Sequence, residues 1–225
     1  RILRYPMDFF NVQTAMYATF HMNDPKVFYN KEDLWEIPVH NEKTMSANHM
    51  IMKLPGEQKE EFVLLVPYTP AKRDNLAAWF AARCDEPHYG KLLVFTFPRD
   101  RLVFGPRQID ARIDQDSYIS QQLTLWGQRG SQVIRGSLLA IPIEKSILYV
   151  EALYLAAEKG QLPELKRVIT AYGNAIAMEE NLELSLQRIF GGEIQPEKEL
   201  AAVPESPTEA IEKTENTLRS FPIGW

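Results

Sequence analysis

The chain has 225 residues, 45% hydrophobic and 24% charged, which supplies enough apolar material for a packed core and excludes wholesale disorder. A net charge of −5 with scattered basic residues leaves no footprint for nucleic acid, which is not expected as a partner. A single cysteine, Cys84, excludes an intrachain disulfide and a cysteine-rich metal centre, and no run approaches the ~20 apolar residues that span a bilayer.

In chain order, residues 1–47 read as a helical, aromatic-rich segment. Asp8 is placed to cap a helix whose apolar stripe is Phe9, Val12, Met16 and Phe20, and Asn23-Asp24-Pro25 stops it and starts a second turn. Residues 40–47 read as a polar connector. Strands at 50–54 and 61–66 flank Pro55-Gly56-Glu57, a hairpin signal, with Pro67 and Pro70 closing the second strand. Asp74 or Asn75 is then expected to cap a helix carrying Leu76, Trp79, Phe80 and Cys84 on one stripe. A strand follows at 91–97 and a short one at 102–104.

Residues 107–125 read as a helix in two parts that breaks at Ser117, followed by a loop over 126–131. The strongest local signal is the pair of apolar runs 133–143 and 147–155 around Glu144-Lys145-Ser146, a long hairpin. The second run is apolar on both faces, as a central strand is, and Pro142 puts the first at an edge. A strand at 165–172 turns at Gly173-Asn174 into 175–178, and Asn181 caps a helix that Gly191-Gly192 stops. Hairpins interspersed with flanking helices imply an α+β fold with a largely antiparallel sheet. Residues 1–192 are expected to form this single domain. Residues 193–225, rich in glutamate and proline, read as an acidic linker and tail.

Several phrases together resemble one family. They are Leu54-Pro55-Gly56-Glu57, residues 62–69 (FVLLVPYT), Tyr89-Gly90-Lys91-Leu92, Gly105-Pro106, residues 108–115 (QIDARIDQ), Leu123-Thr124-Leu125-Trp126 and residues 133–155. Their order and spacing over residues 1–192 resemble uncharacterised protein family 0182. The resemblance implies a large bacterial or archaeal membrane protein, with several transmembrane helices preceding a non-membrane region exposed outside the cytoplasm. This chain would be part of that region, and its partners would include its own membrane-spanning portion and an envelope protein or ligand. The start at Arg1, with no signal peptide, fits a piece of a longer polypeptide. The family brings no reaction, cofactor or catalytic residue with it, and oligomeric state stays open.

The residues themselves offer a short list of sites. Asp110 and Asp114 share a helix face at i,i+4, and Asp116 at the helix end can swing toward them, a carboxylate set suited to calcium. The plainer alternative is a solvated face neutralised by Arg107 and Arg112. Glu151 lies within an apolar strand, where a carboxylate must be paired or strongly perturbed. Its obvious partner is Arg135, and a structural ion pair competes there with a catalytic role for Glu151, Asp110 and Asp114. Asn75 and Trp79, with Arg135, are the ligand-binding candidates. His21, His40, His49 and His88 form no metal-ligand spacing, Ser131 lacks a nucleophile elbow, and Gly127–Gly130 lacks a phosphate-loop lysine. No cofactor is expected. The reading is a non-enzymatic, extracytoplasmic domain that binds a ligand or partner; its alternative is an envelope hydrolase or transferase working through carboxylates.

Overall fold

In the computed structural model, which describes residues 4–98, 102–128, 130–143, 146–157 and 162–191, Pro6 opens the first helix, α1 (Met7–Phe20). Asp8, the expected cap, sits inside its first turn. Asp24 caps α2 (Pro25–Asn30), its carboxylate accepting from the Lys26 amide at 2.8 Å and the Val27 amide at 3.3 Å. The expected linker and tail over 193–225 lie outside the described residues.

The first sheet is assembled from β1 (Trp35–Glu36), β4 (Asn48–Lys53), β5 (Glu60–Pro70), β6 (Ala78–Arg83) and β7 (Leu92–Thr96). Between β1 and β4 the expected polar connector folds as a small hairpin, β2 (Val39–His40) with β3 (Lys43–Thr44), turned by Asn41 and Glu42 at positive φ. Strand β5 takes β4 on one edge over Glu60–Leu65 and β1 on the same edge at Thr69–Pro70. That gap explains why Pro67 does not end the strand. Tyr68 turns its carbonyl to the Ala77 amide, so the missing donor of Pro67 faces the opposite edge, where no partner strand is asking for it.

The expected helix at 76–84 is instead strand β6, buried along its whole length between β5 and β7. A strand covered on both faces carries no alternation, so its apolar run is locally indistinguishable from a helix. On one face of the sheet Leu64, Val66, Tyr68, Phe80 and Ala82 meet Phe10 and Ala18 of α1; on the other Val63, Leu65, Trp79 and Ala81 meet Leu54. Cys84 is 1% exposed, and burial raises its pKa, which makes it a core thiol rather than a nucleophile.

Helices α3 (Pro106–Gln115) and α4 (Ser117–Trp126) follow, joined at Asp116, whose side chain accepts from the Ile119 amide at 2.9 Å. The second sheet comprises β8 (Ser131–Arg135), β9 (Leu139–Ile143), β10 (Ser146–Ala157), β11 (Glu164–Tyr172) and β12 (Ala175–Glu179). Strand β10 is central: β11 lies along one edge, and β8 and β9 share the other, with Pro142 on the outer strand opposite Ile147. Asn181 caps α5 (Leu182–Phe190), accepting from the Leu184 amide at 2.9 Å. One face of this sheet packs Ile147, Tyr149 and Leu153 against Ile109 and Ile113 of α3 and Ile119 of α4, while the other faces Leu186 of α5. The fold is α+β, built from antiparallel hairpins with flanking helices.

Candidate functional site

Strand β10 points Ile147, Tyr149, Glu151 and Leu153 toward α3, and the period of two puts the Glu151 carboxylate beneath that helix with 0% exposure. A carboxylate so placed must be compensated. The antiparallel register sets Arg135 of β8 opposite Leu153, diagonal to Glu151. The guanidinium donates to both Glu151 oxygens, Nε to Oε1 and Nη2 to Oε2, each at 2.8 Å. Its remaining donors reach α3, where Asp110 and Asp114 stand one turn apart: Nη1 to Asp114 at 3.0 Å and Nη2 to Asp110 at 3.3 Å.

His40, at the end of β2, closes the cluster. Its Nδ1 lies 2.8 Å from Asp110 Oδ1, and its Nε2 lies 3.3 Å from Glu151 Oε1. Burial by itself would lower the His40 pKa, but the hydrogen bonds to Asp110 and Glu151 outweigh it and lift the value from 6.5 to about 9. Burial likewise pushes Glu151 up, yet the hydrogen bonds from His40 and Arg135 overcome that and hold its carboxyl below the ordinary range. At neutral pH the cluster is therefore two cations among three carboxylates. His40, Asp110 and Glu151 each offer a ligand atom within 4.8 Å of the others. Binding a divalent cation there means stripping the proton from His40 and the fork of Arg135 from Glu151. As it stands, the arrangement is a self-satisfied ion network that ties the β2–β3 hairpin, α3 and the second sheet together.

The remaining candidates are dispersed. Asp116 is spent on capping α4, away from Asp110 and Asp114. Asn75 bridges to Phe104 and lines a surface groove of about 940 Å³ with Trp35, Leu76, Phe97, Lys72 and Arg73. Trp79 does not join it: it is 3% exposed and stacks on Phe95 at 4.1 Å. Arg83, beside Cys84, is held by Glu57 and Glu61 rather than offset by Asp85, which accepts from the Phe62 amide. His40 is the member of the network that its sequence position did not reveal. Seventy residues separate it from Asp110, and no local pattern links them.

The other conspicuous feature is a surface. Helix α1 buries Phe10, Thr14 and Ala18, while Phe9, Val12, Met16 and Phe20, the apolar stripe of the sequence, are 57%, 56%, 56% and 64% exposed. The sheet takes the side with the small residues because it approaches closely, and the Tyr68 hydroxyl donates to the Thr14 carbonyl at 2.6 Å. Among the described residues no helix is long and apolar enough to cross a membrane.

Residues 1–126 match the profile of an uncharacterised protein family, UPF0182. The chain belongs to that family. Among its curated relatives, a UPF0182 protein of Pelobacter propionicus is 70% identical over 190 residues, covering 84% of this chain and 21% of its own length. One from Geobacter sulfurreducens is 67% identical over 204 residues, covering 90% and 23%, and one from Trichodesmium erythraeum is 50% identical over 231 residues, covering 96% and 25%. The chain thus spans between a fifth and a quarter of the length of these UPF0182 relatives. No solved structure matches it. UPF0182 membership assigns no reaction, so the function of this region has to be argued from its own geometry.

Proposed function

We propose that this part of the UPF0182 chain is a binding region of a larger integral membrane protein, exposed outside the cytoplasm. What supports the reading is the ridge on α1: four large apolar side chains, each more than half exposed, continued by Phe28 and Tyr29 of α2 at 38% and 86%. Taking ~200 Å² for each side chain, these six exposures amount to an apolar patch of roughly 700 Å², a size that on soluble proteins is often functional. The placement outside the cytoplasm rests on the resemblance carried by the sequence phrases.

The enzymatic alternative is a hydrolase or transferase using Glu151, Asp110 and Asp114. It needs one carboxyl kept protonated as an acid and a pocket that admits substrate. Glu151 is instead held ionised by its cationic neighbours. Of the three carboxylates, Asp114 alone lines a groove, an open one of about 510 Å³ with Gln115, Ser117 and Gln121, and the grooves of about 940 and 400 Å³ include none of them, so none of these grooves brings two of the carboxylates together.

Two measurements on the full-length protein in native membranes test the proposal. Carbene footprinting should mark Phe9, Met16 and Phe20 far less than Leu162, which is 89% exposed. Equal labelling means that nothing binds the ridge and ends the binding reading. A cysteine placed at Lys59, in the exposed turn between β4 and β5, should react in intact cells with a membrane-impermeant maleimide. Reaction only after lysis would put the region on the cytoplasmic side.

A further inference from the structure

The ridge on α1 has the geometry of a helix-packing surface. Phe9, Val12, Met16 and Phe20 follow one another at spacings of three, four and four residues, so they form one row. At ~1.5 Å per residue the row runs about 16 Å along the helix axis. Rows of this spacing interdigitate with the corresponding row of a second helix. The far end is fixed in place, because the Phe20 ring stacks on Phe28 of α2 at 5.7 Å between centroids. Asp8, one turn before Val12, is the only charged residue on α1, and the rest of the row is bordered by Gln13 and Thr19.

The identity of the occupant follows from charge and from tethering. A helix that lies on a bilayer carries Lys and Arg along its polar flanks to meet anionic headgroups; α1 carries neither, and Lys26 is the one basic residue on α1 and α2 together. A second copy or a diffusible protein must overcome the loss of translational and rotational freedom, for which stable interfaces use about 800 Å² per partner. The ridge and its continuation on α2 expose roughly 700 Å² of apolar surface, more than the ~450 Å² of apolar area in one such face, so area admits either occupant and the difference lies in that loss of freedom. A segment tethered to the same polypeptide avoids that loss, because its effective concentration at the ridge is set by the connecting chain. The stretch matched here is 21–25% of its relatives' length, which leaves three quarters or more of each relative from which such a segment can come.

We propose that the Phe9–Val12–Met16–Phe20 ridge is the seat of an apolar helix contributed by another part of the same polypeptide. This rests on reading the region as a binding one, and it names the partner. The incoming helix presents apolar side chains at i, i+3, i+4 and i+7 and no charge opposite the row, since an ion buried against four apolar side chains has nothing to pair with.

The test uses the full-length protein in native membranes with p-benzoylphenylalanine in place of Met16, and in place of the exposed Lys59 as control. Irradiation is followed by gel analysis and peptide mapping. The expected product runs at monomer mass and joins position 16 to a residue outside this 225-residue stretch, at several times the yield from position 59. With the probe moved to Phe9, the substitution Met16→Asp should cut that yield roughly tenfold, because a buried carboxylate costs more than the ~1.4 kcal/mol that a tenfold change represents. Met16 is exposed, so the substitution leaves the domain's own core untouched. Adducts to lipid, to a second copy at twice the mass, or to a different protein overturn the inference while leaving a covered ridge, and with it the binding reading, intact. Yield at position 16 no higher than at position 59 overturns both.

Discussion

Replacing Glu151 by Gln removes one charge from the buried network while keeping the shape of the side chain. Glu151 is 0% exposed and takes two 2.8 Å hydrogen bonds from Arg135 and a 3.3 Å contact from His40. Breaking a buried pair by neutralising one partner costs about 3–5 kcal/mol. The amide keeps one acceptor for Arg135, and Asp110 and Asp114 still counter its charge, so the lower end, ~3 kcal/mol, applies. For a domain of this size that corresponds to a fall in Tm of about 6–12 °C. The pH dependence supplies a second, independent reading. His40 is raised from 6.5 to about 9 in the folded state, so its contribution is fully present below pH 6.5 and lost as pH climbs through 9. Glu151 is lowered, so its contribution is present above its ordinary 4.5 and lost as pH falls further. Stability of the unaltered protein should therefore be highest between about 4.5 and 6.5 and decline by as much as ~3 kcal/mol toward pH 9. In Glu151→Gln that decline shrinks, since His40 keeps only Asp110. Urea unfolding followed by tryptophan fluorescence from pH 4 to 9.5 measures both. A loss under ~1 kcal/mol together with an unchanged slope above pH 6.5 would show that the network does not carry the charge states assigned to it.

The two faces of α1 should respond oppositely to truncation. Phe10→Ala, which empties a fully buried site against Phe80, should cost about 3–5 kcal/mol, whereas Phe9→Ala should stay within ~0.5 kcal/mol in the 225-residue chain. Chemical denaturation compares them, and equal losses would mean that the helix is rotated from the orientation described. Asp116→Ala should cost about 1 kcal/mol through loss of the α4 cap, and should leave the response to calcium unchanged. Calcium or zinc at neutral pH should give no saturable rise in Tm, because Arg135 and a protonated His40 already occupy the carboxylates. A saturable rise that His40→Ala abolishes would reverse that conclusion.

Some caps and turns were legible because their chemistry is local, although Asp8 falls inside the first turn of α1 and the helix that Asp74 or Asn75 was expected to cap is a strand. Asp24 and Asn181 cap the helices that follow them, and Gly56 and Gly173 take the positive φ that their hairpin turns require. The apolar run 147–155 identified the centre of the second sheet because it is paired with a second run across the short turn Glu144-Lys145-Ser146, which marks a hairpin where apolarity alone would not. The pairing of Glu151 with Arg135 was expected from the sequence, but the hairpin register alone does not give it: the register slips by one residue between β9 and β8, which sets Arg135 opposite Leu153 and on the Glu151 face.

What the sequence by itself determined, then, is whatever depends on neighbours within about twenty residues: the hairpins, the helix ends and the α+β class. Tertiary structure decided the rest, where the local signals were balanced, pointed the wrong way or were absent. Residues 78–83 suit helix or strand equally, and the two flanking strands settle it by pairing both edges. On α1 hydropathy favours Phe9, Val12, Met16 and Phe20, but the sheet selects the side where Thr14 and Ala18 permit close approach, leaving the more apolar row outside. His40 becomes part of a charge network only when a hairpin, a helix and a strand from distant stretches of chain meet, a convergence of long-range packing that no spacing of residues encodes.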